Sequence, residues 1–364
     1  MIARAGQDSA HQDRSGGNTV QTVLERTADK LRSALPRGIA SRSIESASHF
    51  CLFVVSGLTC LAWAAGDQWW VATVLLFGPR WPILLPLLAL FPLALVFCRR
   101  TLPWLAGAGA LAIWLFMGFV LPWQRVTGIF APPPDLTLRV IAYNAGETED
   151  AAVIRMIEDM RPDILALNEW PATRVLPESV TDGMYVGQTG GNLVLSRFPI
   201  KVIEPLESEH LKPWEYRALR CLLQTHLGPM QVVCVHLETP RHGLTQVRHT
   251  PWHAADAMRQ NTERRRLDAE SASRFAAEFT GPSIVAGDFN TPVESRIYQR
   301  YWSGWQNAFS QGGFGLGHTK SLRLHGVRID HILISPHWRV ISAQTCTSLG
   351  GDHRPVVADL ALRM

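Results

Sequence analysis

Two long uncharged stretches near the N-terminus limit what this chain can fold into. Phe50–Ala65 and Trp104–Leu121 contain no charged residue and are close to the roughly 20 residues that span a bilayer. Between them, the apolar run Trp69–Phe97 is too long for one ordinary span and is interrupted by Pro79-Arg80. An arginine at the bilayer centre costs about 2.5–3.5 kcal/mol, so we place it at an interface and a second span at about Trp81–Phe97. The sequence therefore predicts three transmembrane helices, although buried helices of a soluble protein are the alternative.

The composition divides the 364 residues into four parts. Residues 1–46 are polar and form a predicted cytoplasmic tail, and residues 47–123 form the predicted membrane domain. Residues 124–135 form a Pro-rich linker, in which consecutive prolines give a stiff, extended spacer. Residues 136–364 have the composition of a soluble domain and are numerous enough to bury one core.

Basic residues beside the predicted spans indicate their orientation. One side carries Lys30, Arg32, Arg37, Arg42, Arg99 and Arg100, whereas the other carries Arg80 and Arg125. The positive-inside rule then places the N-terminus in the cytoplasm. With three spans, we expect a multi-pass protein of an inner (plasma) membrane of bacterial type, with its C-terminal domain extracytoplasmic, or periplasmic. A fourth span at Trp69–Gly78 would reverse that placement.

Charge and cysteine content narrow the partners of the soluble part. From Leu136 onward there are 24 Lys and Arg and 24 Asp and Glu, and this balance disfavours a grip on long nucleic acid. The six cysteines form no CxxC or Cys/His cluster that would indicate zinc. Cys221 and Cys234 face each other across a predicted hairpin with its tip at Leu227-Gly228. A disulfide and two buried thiols both remain open there.

The soluble part begins with a strand–helix–strand pattern. Leu136–Ala142 alternates and is rich in β-formers, Glu149–Met160 has helical spacing, and Ile164–Leu167 is a buried type of strand. The two strands deliver Asn144, and then Asn168 and Glu169. Many further strands with few helices between them predict a two-sheet sandwich flanked by helices.

Three later segments each end an apolar run with an acid, an amide or a histidine. They are Ile284–Asn290 (IVAGDFN), Arg328–Leu333 (RIDHIL) and Gly351–Val356 (GDHRPV). Carboxylate oxygens suit a hard cation, and a histidine near its ordinary pKa can take a proton from water. Such a combination is suited to metal-assisted attack on phosphorus.

With these motifs, the chain from about residue 137 to 361 resembles the endonuclease/exonuclease/phosphatase (DNase I-like) superfamily. The resemblance implies a four-layer α/β sandwich and a Mg²⁺ or Mn²⁺ site. It also implies three residues on the metal side, which are Asn144, Glu169 and Asp352. It implies catalytic roles for five others: His353 as general base, Asp330 as its partner, His236 at the phosphate or leaving group, and Asp288 and Asn290 orienting the nucleophile and the phosphate.

Some residues depart from the family pattern or lie outside it. Relatives commonly have Ser where this chain has Gly351 and Gln where it has Asn168, and the segment before Arg328 lacks a Trp found in membrane-bound relatives. The His- and Arg-rich stretch Glu238–Asn261 is either a recognition loop for an anionic head group or a solvated insertion. We interpret Arg264-Arg265-Arg266 as a solvated helix face.

The expected function is a membrane-anchored, metal-dependent phosphoesterase that acts on a phosphorylated small molecule or a lipid-linked phosphate or pyrophosphate. An extracytoplasmic nuclease or nucleotide phosphodiesterase is the second possibility, since nucleic acid is a possible but disfavoured partner. A catalytically silent membrane-tethered binding module is the third. The sequence leaves the oligomeric state open.

Overall fold

The computed structural model describes residues 37–122, 136–206, 216–249 and 254–363. They belong to two compact units, of which the first contains residues 37–57 and Pro82–Ala112. The second contains Leu58–Trp81 and the chain from Ile113 onward. Most of the predicted N-terminal tail and the whole Pro-rich linker lie outside the described residues, so the predicted domain boundaries stay predictions.

The apolar N-terminal sequence forms helices. They are α1 (Arg37–Ala65), α2 (Trp70–Phe77), α3 (Leu84–Phe97), α4 (Leu102–Ala110) and a π-helical segment at Leu111–Phe116. Short 3₁₀ turns at Trp81–Ile83 and Arg99–Thr101 precede α3 and α4. In the first unit, side chains of α1, α3 and α4 form one cluster that includes Val55, Leu87, Ala94 and Leu105.

The structure does not show the three predicted transmembrane helices among the described residues. Only Gly38–Ala65 is long and apolar enough by itself to cross a membrane, and Trp70–Phe77 with Trp81–Phe97 qualifies only as one broken span. The predicted third span leaves the helical conformation after Phe116. Gly118 has a φ of 75°, and the backbone of Val120 pairs with that of Gly315 at N–O distances of 2.9 and 3.0 Å. The end of that apolar stretch therefore pairs with another segment inside the second unit and does not continue as a helix.

The second unit holds two mixed six-stranded sheets. The first sheet has the order β13-β14-β1-β2-β4-β3, and the second has the order β5-β6-β7-β8-β12-β9. The strands are β1 (Thr137–Asn144), β2 (Ile164–Asn168), β3 (Tyr185–Thr189), β4 (Asn192–Ser196), β5 (Ile200–Pro205), β6 (Ala218–Thr225), β7 (Gly228–His236), β8 (Ser283–Asp288), β9 (Gln306–Asn307), β10 (Lys320–Ser321), β11 (Gly326–Val327), β12 (Asp330–Ile334), β13 (Trp338–Thr345) and β14 (Val356–Leu362). β10 and β11 form a separate two-stranded sheet.

Helices connect and cover the sheets. They are α5 (Asp150–Met160), α6 (Glu178–Thr181), α7 (Arg241–His249), α8 (Ala254–Ala277), α9 (Arg296–Tyr301) and α10 (Ala308–Gly312). α5 links the parallel strands β1 and β2, and α7 with α8 links the parallel strands β7 and β8. Parallel neighbours need such crossovers because a tight turn cannot bring the chain back to the same edge.

Period-two alternation divides each strand between two cores. Val140 and Ala142 of β1 face a core shared by both sheets, whereas Ile141 and Tyr143 pack with α5 and α6. On the other side, Val285 of β8 packs with α8 and α9. The layers are therefore helix, sheet, sheet and helix, which confirms the predicted α/β sandwich with two mixed sheets.

The predicted hairpin exists, but its turn lies one residue earlier. Thr225 pairs with Gly228, so the turn residues are His226 and Leu227. The Thr225 hydroxyl accepts a hydrogen bond from the Leu227 N–H and donates one to the Gly228 carbonyl. This register places Cys221 opposite Val232, and both Cys221 and Cys234 are buried free thiols. Burial raises the pKa of Cys221 to about 12, so this thiol is unreactive at neutral pH.

Candidate metal and catalytic centre

Strand register brings the predicted site residues to one edge of the two sheets. Asn144 pairs with Asn168 at the ends of β1 and β2, and His236 pairs with Asp288 at the ends of β7 and β8. Asp330 begins the antiparallel β12 and pairs with Asp288. Residues far apart in sequence therefore meet because neighbouring strands end or begin at the same level.

A buried histidine lies between two buried carboxylates. His353 Nδ1 is 2.9 Å from Asp330 Oδ2, and His353 Nε2 is 3.7 Å from Asp288 Oδ2. Burial lowers the pKa of His353, but Asp330 and Asp288 outweigh burial and raise that pKa to about 9. Burial and the nearby Asp330 raise the pKa of Asp288. The centre therefore holds more negative charge than the single imidazolium balances.

Glu169 follows β2 in a left-handed conformation, with a φ of 56°. Such backbone strain is uncommon for a non-glycine residue and often accompanies function. Gly146 makes room for its carboxylate, because a Cβ there would lie 1.9 Å from Glu169 Oε2. Asn144 Nδ2 donates to Glu169 Oε1 at 2.9 Å and to Asp288 Oδ2 at 3.1 Å. Asn144 thus holds two carboxylates together, while its own oxygen accepts from the Gly146 N–H at 3.1 Å.

His236 and Asn290 lie beside these carboxylates. His236 Nε2 is 3.6 Å from Glu169 Oε1. Asn290 also has a left-handed backbone, with a φ of 48°, and its N–H donates to Asp288 Oδ1 at 2.8 Å. Its Nδ2 donates to the Leu237 carbonyl at 2.8 Å, which leaves the amide oxygen for other contacts.

Asp352 is less available than its expected metal-side role requires. One of its oxygens forms an ion pair with Lys320 Nζ, and the other is 3.9 Å from His353 Nε2. Arg241 adds a second cation, 3.9 Å from Asp352 Oδ2. Asp352 is therefore paired with basic side chains, whereas the basic side chain beside Glu169 among the described residues is that of His236.

The oxygen donors fit a divalent cation of the Mg²⁺ or Mn²⁺ type. Glu169 and Asp288 are carboxylates held together by one amide, and Asp288, Asp330 and His353 offer ligand atoms that lie within 4.8 Å of one another. Hard cations prefer oxygen ligands, and one bound at Asp288 would stabilise the carboxylate against burial and the nearby Asp330, which together raise its pKa.

Sequence reasoning missed several residues around the centre. The sequence patterns do not mark Lys320 as a site residue. They predict a solvated helix face for Arg265, although its side chain is 1% exposed. A signal for Arg265 was present, because Ala269, Ala272 and Ala276 follow it at helical spacing on the buried face of α8. No comparable pattern marks Lys320, which the short strand β10 brings against Asp352.

The catalytic centre opens into a cavity of about 420 Å³. It is lined by Glu169, Arg217, His236, Leu237, Glu238, Thr239, Arg241, His242, Asp288, Asn290, Lys320 and His353. Thr239, Arg241 and His242 belong to the inserted stretch 238–261, so that part of the insertion borders the centre. Asp330 lies behind His353, fully buried.

Comparison with known proteins identifies the family of this chain. Residues 141–353 match the Endonuclease/Exonuclease/phosphatase family over more than half of the chain, and the chain belongs to this family. Members of that family hydrolyse phosphoester bonds as nucleases or phosphatases, so the predicted resemblance is confirmed at the level of the superfamily. No curated protein in the comparison matches the chain.

Solved structures of similar fold include three of known source. An endonuclease/exonuclease/phosphatase from Beutenbergia cavernae is 19% identical, with a TM-score of 0.46, over 62% of this chain and 72% of that one. An endonuclease/exonuclease/phosphatase from Bacteroides vulgatus is 18% identical, with a TM-score of 0.48, and the match covers 63% of this chain and 100% of that one. An AP endonuclease from Archaeoglobus fulgidus is 17% identical, with a TM-score of 0.48, and the match covers 61% of this chain and 98% of that one.

Proposed function

We propose that this protein is a divalent-metal-dependent phosphoesterase that hydrolyses a phosphate ester or pyrophosphate with water activated by His353. The observation that carries the proposal is the buried pair His353–Asp330, at 2.9 Å, with Asp288 3.7 Å from the other ring nitrogen. Family membership supports the reaction class. A silent binding module has no need for this buried, charged arrangement, which is costly unless it serves chemistry.

The geometry supports the role of general base for His353. Its Nδ1–H donates to Asp330, which fixes the tautomer and leaves Nε2 directed toward Asp288 and the cavity. Asp288 also accepts from the Asn290 N–H, so the acid and the amide are positioned together. His236 and Asn290 line the same cavity and would bind phosphoryl oxygens.

Glu169 and Asp288 would hold the cation, and Asn144 would keep their carboxylates in place. When bound, the cation would neutralise charge on the phosphoryl oxygens and lower the pKa of His353 toward neutrality. Lys320 and Arg241 add positive charge at the cavity and would attract an anionic substrate.

We also propose that the protein is anchored in an inner membrane and acts on a lipid-linked phosphate. The helix Gly38–Ala65 supports anchoring, since it is long and apolar enough to span a bilayer. With Gly38–Ala65 as the single span, the basic residues Arg37 and Arg42 at its N-terminal end favour a cytoplasmic N-terminus and an extracytoplasmic, or periplasmic, catalytic part. The neutral charge of residues 136–364 makes a phosphorylated small molecule or lipid a better substrate than long nucleic acid.

A substrate panel on the full chain in detergent tests this proposal. Lipid phosphates, lipid pyrophosphates, inositol phosphates, nucleotides and DNA are compared with Mg²⁺, with Mn²⁺ and with chelator. We expect turnover of a lipid-linked substrate that chelator removes and that His353→Ala abolishes. Turnover of DNA or nucleotides alone would replace the lipid substrate by the nuclease alternative, and absence of metal-dependent turnover on every phosphoester would refute the enzyme.

A further inference from the structure

A second cavity, of about 410 Å³, lies beside the catalytic one in the same unit. Basic side chains dominate its polar lining, which includes Arg80, Arg328, Arg354, His318, His325 and Glu294. The two cavities are adjacent along the chain at two places. Lys320 lines the catalytic cavity and Ser321 lines the second cavity. Likewise, His353 lines the catalytic cavity and Arg354 lines the second.

The lining carries more positive than negative charge. Glu294 is the acidic residue of this lining, and Arg80 Nη1 already pairs with its Oε1 at 3.0 Å. Arg80 also donates to the carbonyls of Phe116 and Leu76, so its guanidinium is fully engaged. Glu294 still acts on Arg328 electrostatically, but neither Arg328 nor Arg354 forms an ion pair within 4.0 Å among the described residues.

Arg328 is the most unusual of these groups. It is 7% exposed, and its Nη1 has no hydrogen-bond partner in the described part of the chain. Its guanidinium carbon lies 4.9 Å from the centre of the Phe309 ring, which offers only a weak counterpart to a buried charge. A buried guanidinium without a close ion pair is destabilising, so packing by itself is a poor reason to retain it.

Two other buried nitrogens of the same lining also lack partners. Arg354 Nε and His325 Nδ1 make no hydrogen bond within the described residues, although His325 Nε2 lies 2.8 Å from the Phe77 carbonyl. Burial and the surrounding arginines Arg80, Arg328 and Arg354 lower the pKa of His318 to about 4. The positive charges of Arg80, Arg328 and Arg354 all lower the pKa of His318, which is consistent with the four side chains lining the same cavity.

We propose that this cavity is a second anion site that binds a phosphate-class group through Arg328 and Arg354. Its volume falls in the range of small-ligand sites, and arginine binds phosphate through paired N–H donors. The same chemistry is offered by free inorganic phosphate and by the head group of an anionic lipid. The site is independent of catalysis, because none of the residues assigned to catalysis or metal binding lines it.

Binding to the full chain in detergent tests the site, with chelator present to keep divalent ions from the catalytic carboxylates. Inorganic phosphate is the first probe, and its affinity is measured by calorimetry and by the shift in thermal unfolding. We expect Arg354→Met and Arg328→Met each to weaken phosphate binding by about tenfold or more, as loss of a charge-assisted contact predicts. The matched control Arg259→Met, at an exposed arginine that lines neither cavity, should leave this binding unchanged.

A second arm separates the sources of the anion. Detergent micelles carrying phosphatidylglycerol are compared with micelles carrying phosphatidylcholine. Stabilisation by phosphatidylglycerol but not by inorganic phosphate, lost in Arg354→Met, identifies a lipid head group, whereas stabilisation by phosphate identifies a soluble anion. Without either probe, Arg328→Met should unfold at a higher temperature than the parent chain, because it removes an unpaired buried charge. Binding that survives both arginine substitutions, or no binding of either probe, overturns the proposal.

Discussion

Arg265 and Asp67 form an ion pair in which Nη1 lies 2.6 Å from Oδ1 and both side chains are 1% exposed. Arg265 Nη2 also donates to the Asn290 carbonyl and the Thr291 hydroxyl, at 3.2 Å each. Asp67 accepts a hydrogen bond from Ser295 as well. The segment Leu58–Trp81, from the apolar N-terminal half, is therefore a structural part of the unit that carries the catalytic centre.

We predict that Asp67→Ala destabilises this unit by about 3–5 kcal/mol, because it leaves the buried guanidinium unpaired. Chemical unfolding of the full chain in detergent measures the change. Asp256→Ala is the matched control, since Asp256 pairs with Arg259 on the surface and should matter little. The double variant Asp67→Ala, Arg265→Met should regain much of the loss, and equal losses in the single and double variants would contradict this explanation.

A second prediction concerns the Asp330–His353 pair. Asp330→Asn keeps the shape of the side chain but removes the charge that orients and raises the pKa of His353. We expect kcat to fall about a thousandfold or more, with a smaller change in KM, as misorientation of a general base predicts. Steady-state kinetics on the best substrate of the panel measures this, and unchanged thermal unfolding shows that the fold is retained. A loss below about tenfold would remove Asp330 from its assigned role as the partner of His353.

A third prediction is that stability depends on pH through His331. Its Nε2 lies 2.9 Å from the Thr291 carbonyl and its Nδ1 lies 3.2 Å from Asn307 Nδ2, an arrangement that suits the neutral ring. Burial, with help from Arg328, lowers the pKa of His331 to about 4. The unfolded chain binds the proton near pH 6.5, so the stability is fully present above that pH and is lost as the pH falls toward 4.

The loss from His331 should be about 3 kcal/mol across this window, and His318 adds to it because its pKa is also lowered to about 4. Urea unfolding at a series of pH values measures it. His331→Asn should be less stable at neutral pH and should show a flatter profile between pH 4 and 6.5. A profile as steep as that of the parent chain would contradict the buried neutral histidine.

A fourth prediction explains why glycine stands at position 351, where the family resemblance leads us to expect serine. A Cβ at Gly351 would lie 2.3 Å from Thr148 Oγ1, so the Thr148 side chain occupies the space that a serine needs. Gly351→Ser should destabilise the fold by about 1–3 kcal/mol, as overpacking does. Thr148→Ala should rescue Gly351→Ser in thermal unfolding, and additive effects of the two substitutions would exclude the steric explanation.

Local patterns predicted much of the sandwich. Alternation and β-formers located β1 and β2, and helical spacing located α5 between them, because these patterns depend on neighbours a few residues apart. The apolar run that ends in Asp288 and the one that begins at Val356 likewise formed central strands. The hairpin turn differed by one residue because the Thr225 hydroxyl closes the turn at His226-Leu227.

The apolar segments show where local patterns fail. Length and hydropathy treated Trp104–Leu121 as a complete span, but its last residues pair with Gly315, about two hundred residues further along the chain. Arg80 was placed at a membrane interface from its charge, whereas it pairs with Glu294, which is buried in the second unit. Neither partner can be found from the residues next to these segments.

The sequence by itself determined that strand ends carry acids, amides and histidines of the right type for phosphoester chemistry. Which of them meet, and with what charge, was decided by register and by packing between distant segments. Asp352 shows the difference, because the sequence marks it as a metal-side acid while the fold places Lys320 against it. Side-chain chemistry is local, but the electrostatic balance of a site depends on every charge that folding brings within a few ångströms.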